Sequence, residues 1–449
     1  MDLDLIAKYD RPVPRYTSYP TAPHFGPTVD AACYRRWLEE LDPGERASLY
    51  IHIPFCHALC WFCGCHTKVV RRYRPVAAYV ELLRREIDLA AGRIGARLSV
   101  DHVHFGGGSP DILAADDFLA LIDHLRAKFA FAKGAEIAVE LDPRGVTPET
   151  VRALAEAGVR RASLGVQDFD PAVQQAVNRV QPFALTQAVV DRLRAAGIVD
   201  INLDLMYGLP CQSAAGLVRT VDKAVALEPR RLALFAYAHV PWMRPHQRLI
   251  DERRLPGPAE RWRQFQAASA RLEERGYVAV GLDHFARPGN ALAGASKRGR
   301  LHRNFQGYTT DDAAVLIGFG ASAIGTLPQG YVQNAVPLGT YRDAISRGDL
   351  AVYRGLAVSP DDRLRRAIIE RLMCDLEVDL AAVCAAHGSD PPRFGPELEA
   401  LARMAEDGIV TISGHRIRVS EECRPLLRVV AAVFDRHLAN GEGRYSRPV

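Results

Sequence analysis

From Leu49 to Tyr237 the chain alternates short apolar runs with longer amphipathic stretches. LYIHIP, VDHVHF, EIAVELDP, RASLGVQ, VDINLDLMYGLP and RLALFAY read as six strands. They are apolar nearly throughout, as expected of strands covered on both faces. Between them, apolar positions recur at helical spacing, predicting helices around 76–91, 116–129, 148–157, 171–196 and 214–227. Six consecutive strand–helix units predict an α/β fold, a parallel sheet with helices outside it. Six units are fewer than the eight of a closed barrel, so an open, partial (β/α)6 barrel is expected, with a doubly wound sheet as the alternative. In both, the loops after the strands form the active face.

The flanks follow other patterns. Residues 1–45 are rich in Pro and Tyr (RPVPRYTSYPTAP) before turning helical, which predicts an extended arm laid on another domain. After Tyr237 come AHVPWMRPHQR, a helix around 258–275, a short strand in YVAVGLDHFARP and a loop carrying HRNFQGYTT. Further on, helical segments (DDRLRRAIIERLMCD, PELEALARMAEDG) surround a small strand pair in VTISGHRIRVS. The chain is thus expected to divide into an arm (1–45), a barrel with a C-terminal extension (46–357) and a helical, winged-helix-like C-terminal domain (358–449).

Composition narrows the class. The 449 residues are 48% hydrophobic and 24% charged, which excludes a disordered chain and leaves ample material for a core. The net charge of +4 is too small to imply a nucleic-acid partner. Six of the 57 basic residues are lysine and 51 are arginine; most of that bias reads as compositional, and some arginines are candidates for holding carboxylates as bidentate forks. The N-terminus lacks the apolar core of a signal peptide, and the longest apolar stretch, Ala313–Leu327, is shorter than a membrane span and carries three glycines. The expectation is a cytoplasmic protein without a membrane partner.

Nine cysteines are unevenly placed, with Cys56, Cys60, Cys63 and Cys65 inside ten residues and the others isolated. Cys56, Cys60 and Cys63 form C-x3-C-x2-C directly after the first strand. A structural zinc site needs a second pair of ligands, and no other cysteine has a near neighbour. A redox pair, Cys60 and Cys63, leaves the third cysteine idle. A [4Fe–4S] cluster takes three thiolates from such a loop and leaves one iron open to another ligand. Elsewhere, GGGSP after the second strand is either a tight turn or a place where backbone approaches a ligand closely. Glu140 and Asp204 are acids inside apolar strands, costly unless paired, and Gln167 ends the fourth strand.

These features together resemble the radical S-adenosylmethionine (SAM) superfamily. The ordered segments PRYTSYPTA, YIHIPFCH, HFGGGSP, VELDPR, LGVQDF, VNR, NLDLMYGLP, YAHVP, DHFARP and HRNFQGYTT, with Cys65 completing C-x3-C-x2-C-x-C, are similar to the oxygen-independent coproporphyrinogen III oxidase (dehydrogenase) family over almost the whole chain. The resemblance implies oxidative decarboxylation of two propionates of coproporphyrinogen III to vinyls, giving protoporphyrinogen IX in haem biosynthesis through a 5′-deoxyadenosyl radical. It also implies an electron donor and an electron acceptor, neither identified by the sequence, and a monomer. A haem-trafficking protein on the same scaffold is the alternative. That group usually carries Phe in place of Cys65 and lacks the PRYTSYP arm and NFQGYTT.

Carried over position by position, the resemblance gives Cys56, Cys60 and Cys63 to the cluster and two SAM molecules to the loops above the strands. Tyr50, Gly107, Glu140 and Ile324 would touch one SAM. Phe62, Gly108, Ser109, Gln167, Arg179, Asp204 and Ala238 would touch the other, and Phe305 and Gln306 would line the same cavity. Ser109 and His66 depart from the family's more usual Thr and Asn. A substrate with four propionates calls for a cationic pocket, for which Arg15, His284, Arg287, His302 and Arg303 are candidates.

Overall fold

A computed structural model of the chain describes Leu5, residues 8–438, Tyr445 and Ser446. All six expected strands form: β1 (Arg46–Ile53), β2 (Ser99–Gly107), β3 (Ala130–Leu141), β4 (Arg161–Gln167), β5 (Asp200–Tyr207) and β6 (Arg231–Ala236). They pair in chain order, every pair parallel. Helices Arg74–Ala91 (α1), Ala115–Lys128 (α2), Pro148–Glu156 (α3), Phe183–Ala195 (α4) and Ala214–Ala226 (α5) join them.

The sheet extends beyond the six units on both sides. On one side β7 (Val278–Val280) and β8 (His284–Ala286) add as an antiparallel pair, where the sequence suggests one short strand. On the other, β9 (Val315–Phe319) lies parallel to β1, with Ala47 opposite Val315 and Ile51 opposite Phe319. Antiparallel strands β10 (Ile324–Leu327), β11 (Gly330–Asn334) and β12 (Val352–Ala357) follow. The twelve strands run β12-β11-β10-β9-β1-β2-β3-β4-β5-β6-β8-β7, and β12 and β7 do not pair, so the barrel is open.

The strands are not apolar on both faces. Side chains alternate along a strand, and Leu49, Ile51, Val103, Phe105, Val139 and Leu203 belong to the core under the helices. The intervening residues are polar and meet each other inside the barrel. Tyr50 stacks on His104, Arg161 pairs with Glu136 at 2.8 Å, and the Asn202 amide donates to Ser163 Oγ at 2.7 Å. A closed barrel of this type fills its interior with branched apolar side chains. Here the interior is a polar lumen.

The arm has no core of its own. Tyr9, Val13, Tyr16 and Tyr19 are buried in a second apolar cluster with helix Pro360–Asp375 and the C-terminal segments. That part also holds helix Gly395–Glu406 and a three-stranded sheet of Glu377–Asp379, Arg416–Val419 and Val410–Ser413. The Tyr16 hydroxyl donates to Asp435 at 3.0 Å, tying arm to C-terminus.

Candidate functional site

The cysteine loop leaves β1 and is closed at its base by a two-residue parallel ladder, Phe55–Cys56 against Lys68–Val69. Within it, the Cys63 N–H donates to the Cys60 carbonyl at 3.1 Å. Neighbours hold it from outside: the Trp61 N–H donates to the Val177 carbonyl at 3.0 Å, and the Asn178 amide to the Leu59 carbonyl at 2.8 Å. The loop therefore presents its thiols in a fixed arrangement.

A cavity of about 180 Å³ lies beneath the loop at the C-terminal ends of the strands. Ten of the residues expected at the site line it: Cys56, Cys60, Phe62, Cys63, Gly107, Gly108, Glu140, Gln167, Arg179 and Asp204. Gly107 has φ +111°, and a Cβ there would stand 2.5 Å from the His52 ring; one on Gly108 would stand 2.5 Å from the Phe55 carbonyl oxygen. Only glycine lets this turn press against the cysteine loop. Gln167 has φ 67°, turning the chain at the end of β4.

Each thiol of the motif accepts a hydrogen bond. Thr67 Oγ1 donates to Cys56 Sγ at 3.0 Å, and the Cys65 N–H to Cys63 Sγ at 3.4 Å. Arg144 Nη2 and Arg179 Nη1 donate to Cys60 Sγ at 3.2 and 3.3 Å. Asp142 orients both arginines, accepting from Arg144 at 2.6 Å and from Arg179 at 3.0 Å. Arg179 Nη2 also donates to the Gly165 carbonyl at 2.6 Å, while its buried Nε has no partner. Hydrogen-bond donors on sulfur and nearby cations suit thiolates that ligate an iron–sulfur cluster. Among the described residues, no three Cys, His, Asp or Glu side chains are grouped as one metal ion would need. The donor set fits three thiolates on three separate irons, and the orphaned Arg179 Nε and the glycine-lined space beside it fit an additional ligand.

The two acids of the lumen are driven apart. Burial pushes the Asp204 carboxyl up, the charge of Glu140 pushes it further, and hydrogen bonds from Ser163 and Asn202 only partly offset this, leaving it at about 6. Burial also raises Glu140, but His104 Nε2 at 3.0 Å and the Gly107 N–H at 3.3 Å outweigh it and hold that carboxyl below its ordinary value. One carboxyl is thus a firm anion and its neighbour is poised to change charge near neutrality.

The remaining expected residues fall around this cavity. Tyr50 lies deeper, its hydroxyl 3.0 Å from His52 Nδ1. Ser109 is buried and hydrogen-bonds Asp111, away from the lining. The Ala238 carbonyl shares Gln247 Nε2 with the Phe62 carbonyl, at 3.2 and 3.0 Å. Phe305, Gln306 and Ile324 are not brought to the cysteine cavity. Phe305 stands edge-on to Tyr331 and lines a separate cavity of about 450 Å³ under the arm, with His302 and Arg303. Gln306 meets the lower lumen beside His102 and His104, and Ile324 packs against the Phe25–Tyr331 cluster.

Sequence reasoning missed the supporting shell. His104, Thr67, Asp142, Arg144, His246 and Gln247 all hold the site, His246 through Nε2 on the Cys63 carbonyl at 2.8 Å. Asp142 and Arg144 were within reach, because VELDPR places two charges at the end of a strand. His246 and Gln247 act across more than 180 residues of sequence and leave no local signal.

Comparison with known proteins gives a consistent result. Residues 50–224 match the radical SAM superfamily and residues 358–426 the HemN C-terminal domain. The chain is 51% identical over 450 aligned residues, 100% of both chains, to a protein of Bradyrhizobium diazoefficiens named oxygen-independent coproporphyrinogen III oxidase. A protein of Paracoccus denitrificans with the same name is 42% identical, with 96% of each chain covered. The solved structure of coproporphyrinogen III oxidase (HemN) from Escherichia coli, described as a radical SAM enzyme, superposes with a TM-score of 0.91 at 37% identity, covering 97% of this chain and 98% of that one.

Proposed function

This chain belongs to the oxygen-independent coproporphyrinogen III oxidase family, and from that premise we propose the following reading of its site. The protein is a radical SAM oxidoreductase of haem biosynthesis that decarboxylates two propionates of coproporphyrinogen III to vinyls, giving protoporphyrinogen IX. The observation that carries the assignment of residues is the ring of three hydrogen-bonded thiols over a glycine-lined, acid-bearing cavity at the mouth of the strands.

When bound, the [4Fe–4S] cluster and SAM would supply the radical chemistry that removes a hydrogen atom from a propionate β-carbon, and the departure of CO2 to leave the vinyl would pass one electron to a separate one-electron acceptor. The protein's task is to hold the groups and keep water out. Cys56, Cys60 and Cys63 would hold three irons of the cluster. Arg179 and Arg144 stabilise the Cys60 thiolate and keep the loop seated on β3. Gly107 and Gly108 bring backbone against the ligand, and Glu140 and Asp204 accept from ammonium and hydroxyl groups of SAM.

We assign two SAM molecules to the site. Tyr50, Gly107 and Glu140 serve one, and Phe62, Gly108, Gln167, Arg179, Asp204 and Ala238 the other, while Ser109, Phe305, Gln306 and Ile324 lie off the cysteine cavity and are given no contact with either. The number two rests on membership of the family. Arg303 is buried beside Arg15 and Arg428, its Nε and Nη1 making no hydrogen bond and its Nη1 3.8 Å from Asp283, and this cluster of guanidiniums suits the carboxylates of the substrate. The three-part division at residues 45 and 357 belongs to the same reading, as does a cytoplasmic monomer. All nine cysteines are free thiols, and among the described residues no helix is long and apolar enough to cross a membrane.

The haem-trafficking alternative is not favoured, given the whole-length identity to the named oxidases. The deciding experiment is anaerobic reconstitution with iron and sulfide, followed by product analysis with coproporphyrinogen III, SAM and dithionite. Protoporphyrinogen should form, and Cys60→Ala should lose cluster absorbance and turnover together. Bound cluster and cleaved SAM without decarboxylation would overturn the reading.

A further inference from the structure

The reaction consumes one electron at the cysteine loop for each propionate, and the inference here rests on that reading. The surface over the loop differs from the rest of the molecule in two independent ways. The first is apolar exposure. Eight large hydrophobic side chains are exposed among the described residues, and five of them (Val69, Val180, Trp242, Met243 and Leu249) lie on segments joined to the cysteine loop. Val69 is in the ladder that closes it, and Val180 follows Arg179, the donor to Cys60. The other three flank His246 and Gln247, which bind the Cys63 and Phe62 carbonyls. Trp242 and Met243 are 58% and 52% exposed.

The second is charge. The three stretches that surround the loop, 46–80, 171–190 and 229–250, contain no Asp or Glu, in a chain with 53 acids. Among the described residues Lys68, Arg71, Arg72, Arg74, Arg244 and Arg248 make no ion pair, so the positive charge on these acid-free stretches is left uncompensated. A cavity of about 420 Å³ opens here, lined by Cys65, His66, Lys68, Met243, Arg244 and His246, so the cysteine loop itself forms part of the exposed face.

An apolar centre holding Trp and Met with an unpaired basic rim has the anatomy of a protein interface awaiting an acidic partner. The side chains stand on loops and short turns, not along one face of an amphipathic helix as membrane-surface binding uses. We infer that this face docks an acidic one-electron carrier protein, which delivers its electron to the cluster held by Cys56, Cys60 and Cys63. In the step the carrier is oxidised by one electron and the cluster reduced by one; no bond forms or breaks and no proton moves.

The chain's lysines make a direct test available. Carbodiimide joins carboxylates to lysine amines only within ion-pair reach, and of the six lysines only Lys68 is on this face. Crosslinking the reconstituted full-length protein to a reduced bacterial flavodoxin should give a single main product through Lys68, suppressed by salt. In stopped flow, Arg72→Glu/Arg248→Glu and Trp242→Ser should each slow cluster reduction by flavodoxin about tenfold, with reduction by dithionite unchanged. Tyr353→Ser, on exposed β12, should behave as the parent protein. Crosslinks through other lysines, unaltered flavodoxin kinetics in the variants, or binding of the patch to phosphatidylglycerol vesicles in place of flavodoxin would each overturn the inference. Failure of the dithionite-driven decarboxylation would instead strike the proposed function, because crosslinking and cluster reduction are read without it.

Discussion

Glu140 and Asp204 show how much of this site is set by side chains that the substrate never meets. Their strands are two apart in the sheet, and both project into the lumen. What separates them is partners: an imidazole and a backbone N–H for Glu140, a hydroxyl and an amide under heavy burial for Asp204. An acid whose folded value of about 6 lies above its ordinary 3.8 binds its proton more tightly when folded. Stability from this group is therefore greatest below about pH 4, falls as pH rises, and the penalty is complete above about pH 6. Asp204→Asn removes that penalty. The variant should be more stable than the parent at pH 8, by up to about 3 kcal/mol, and indistinguishable from it at pH 4, as read by thermal melts. If the carboxylate holds SAM, the parent's SAM affinity should weaken as pH falls through about 6 and the variant's should be uniformly weak.

The elements that extend the barrel are joined to it through one buried carboxyl. Glu86 on α1 accepts from the Gly320 N–H at 2.7 Å, from the Asn334 amide at 2.5 Å and from the Tyr341 hydroxyl at 2.7 Å. These partners sit after β9, at the end of β11 and on helix Leu338–Ser346, so a single side chain gathers three elements that follow it by more than 230 residues. Beside it the Tyr79 hydroxyl donates to the His52 carbonyl at 2.9 Å, carrying the junction to the floor of the site. Glu86→Ala should leave three buried donors unsatisfied and cost about 3 kcal/mol, against about 1 kcal/mol for Tyr341→Phe, measured by denaturant midpoints. Such a junction is invisible in sequence. The six strand–helix units are legible because each writes its own local period, whereas β9 joins β1 across more than 260 residues and reads only as one more apolar run. The polar lumen was written in the chain, in the alternate residues of VDHVHF and NLDLMY, but an overall apolar composition masks a period of two. The thiol loop and the glycine turn are legible because spacing in one short segment carries their chemistry. The places of Phe305, Gln306 and Ile324 depend on how the extension folds back, which no local pattern records.

For the molecule as a whole, the arm is the part that makes the remaining pieces one body. Tyr9, Val13, Tyr16 and Tyr19 complete the apolar cluster of the C-terminal region, and Tyr9 and Tyr16 bond Asp407 and Asp435 there. Between them Arg15 turns the other way, donating to the Ala236 carbonyl at the end of β6 at 2.9 Å, while Arg303 of the HRNF hairpin reaches back to the Arg15 carbonyl at 3.4 Å. The arm thus bridges the C-terminal core to the mouth of the barrel. Burial of each large apolar side chain is worth about 2 kcal/mol, so deleting residues 1–20 removes most of what a small core can spare. The barrel's own core, centred on the six strands and their helices, shares none of those four residues. Hydrogen exchange on the truncated protein should show protection retained in β1–β6 and lost in helix Pro360–Asp375 and the C-terminal sheet. Uniform loss of protection would mean the two cores fold as one unit; unchanged protection would mean the arm only decorates the surface.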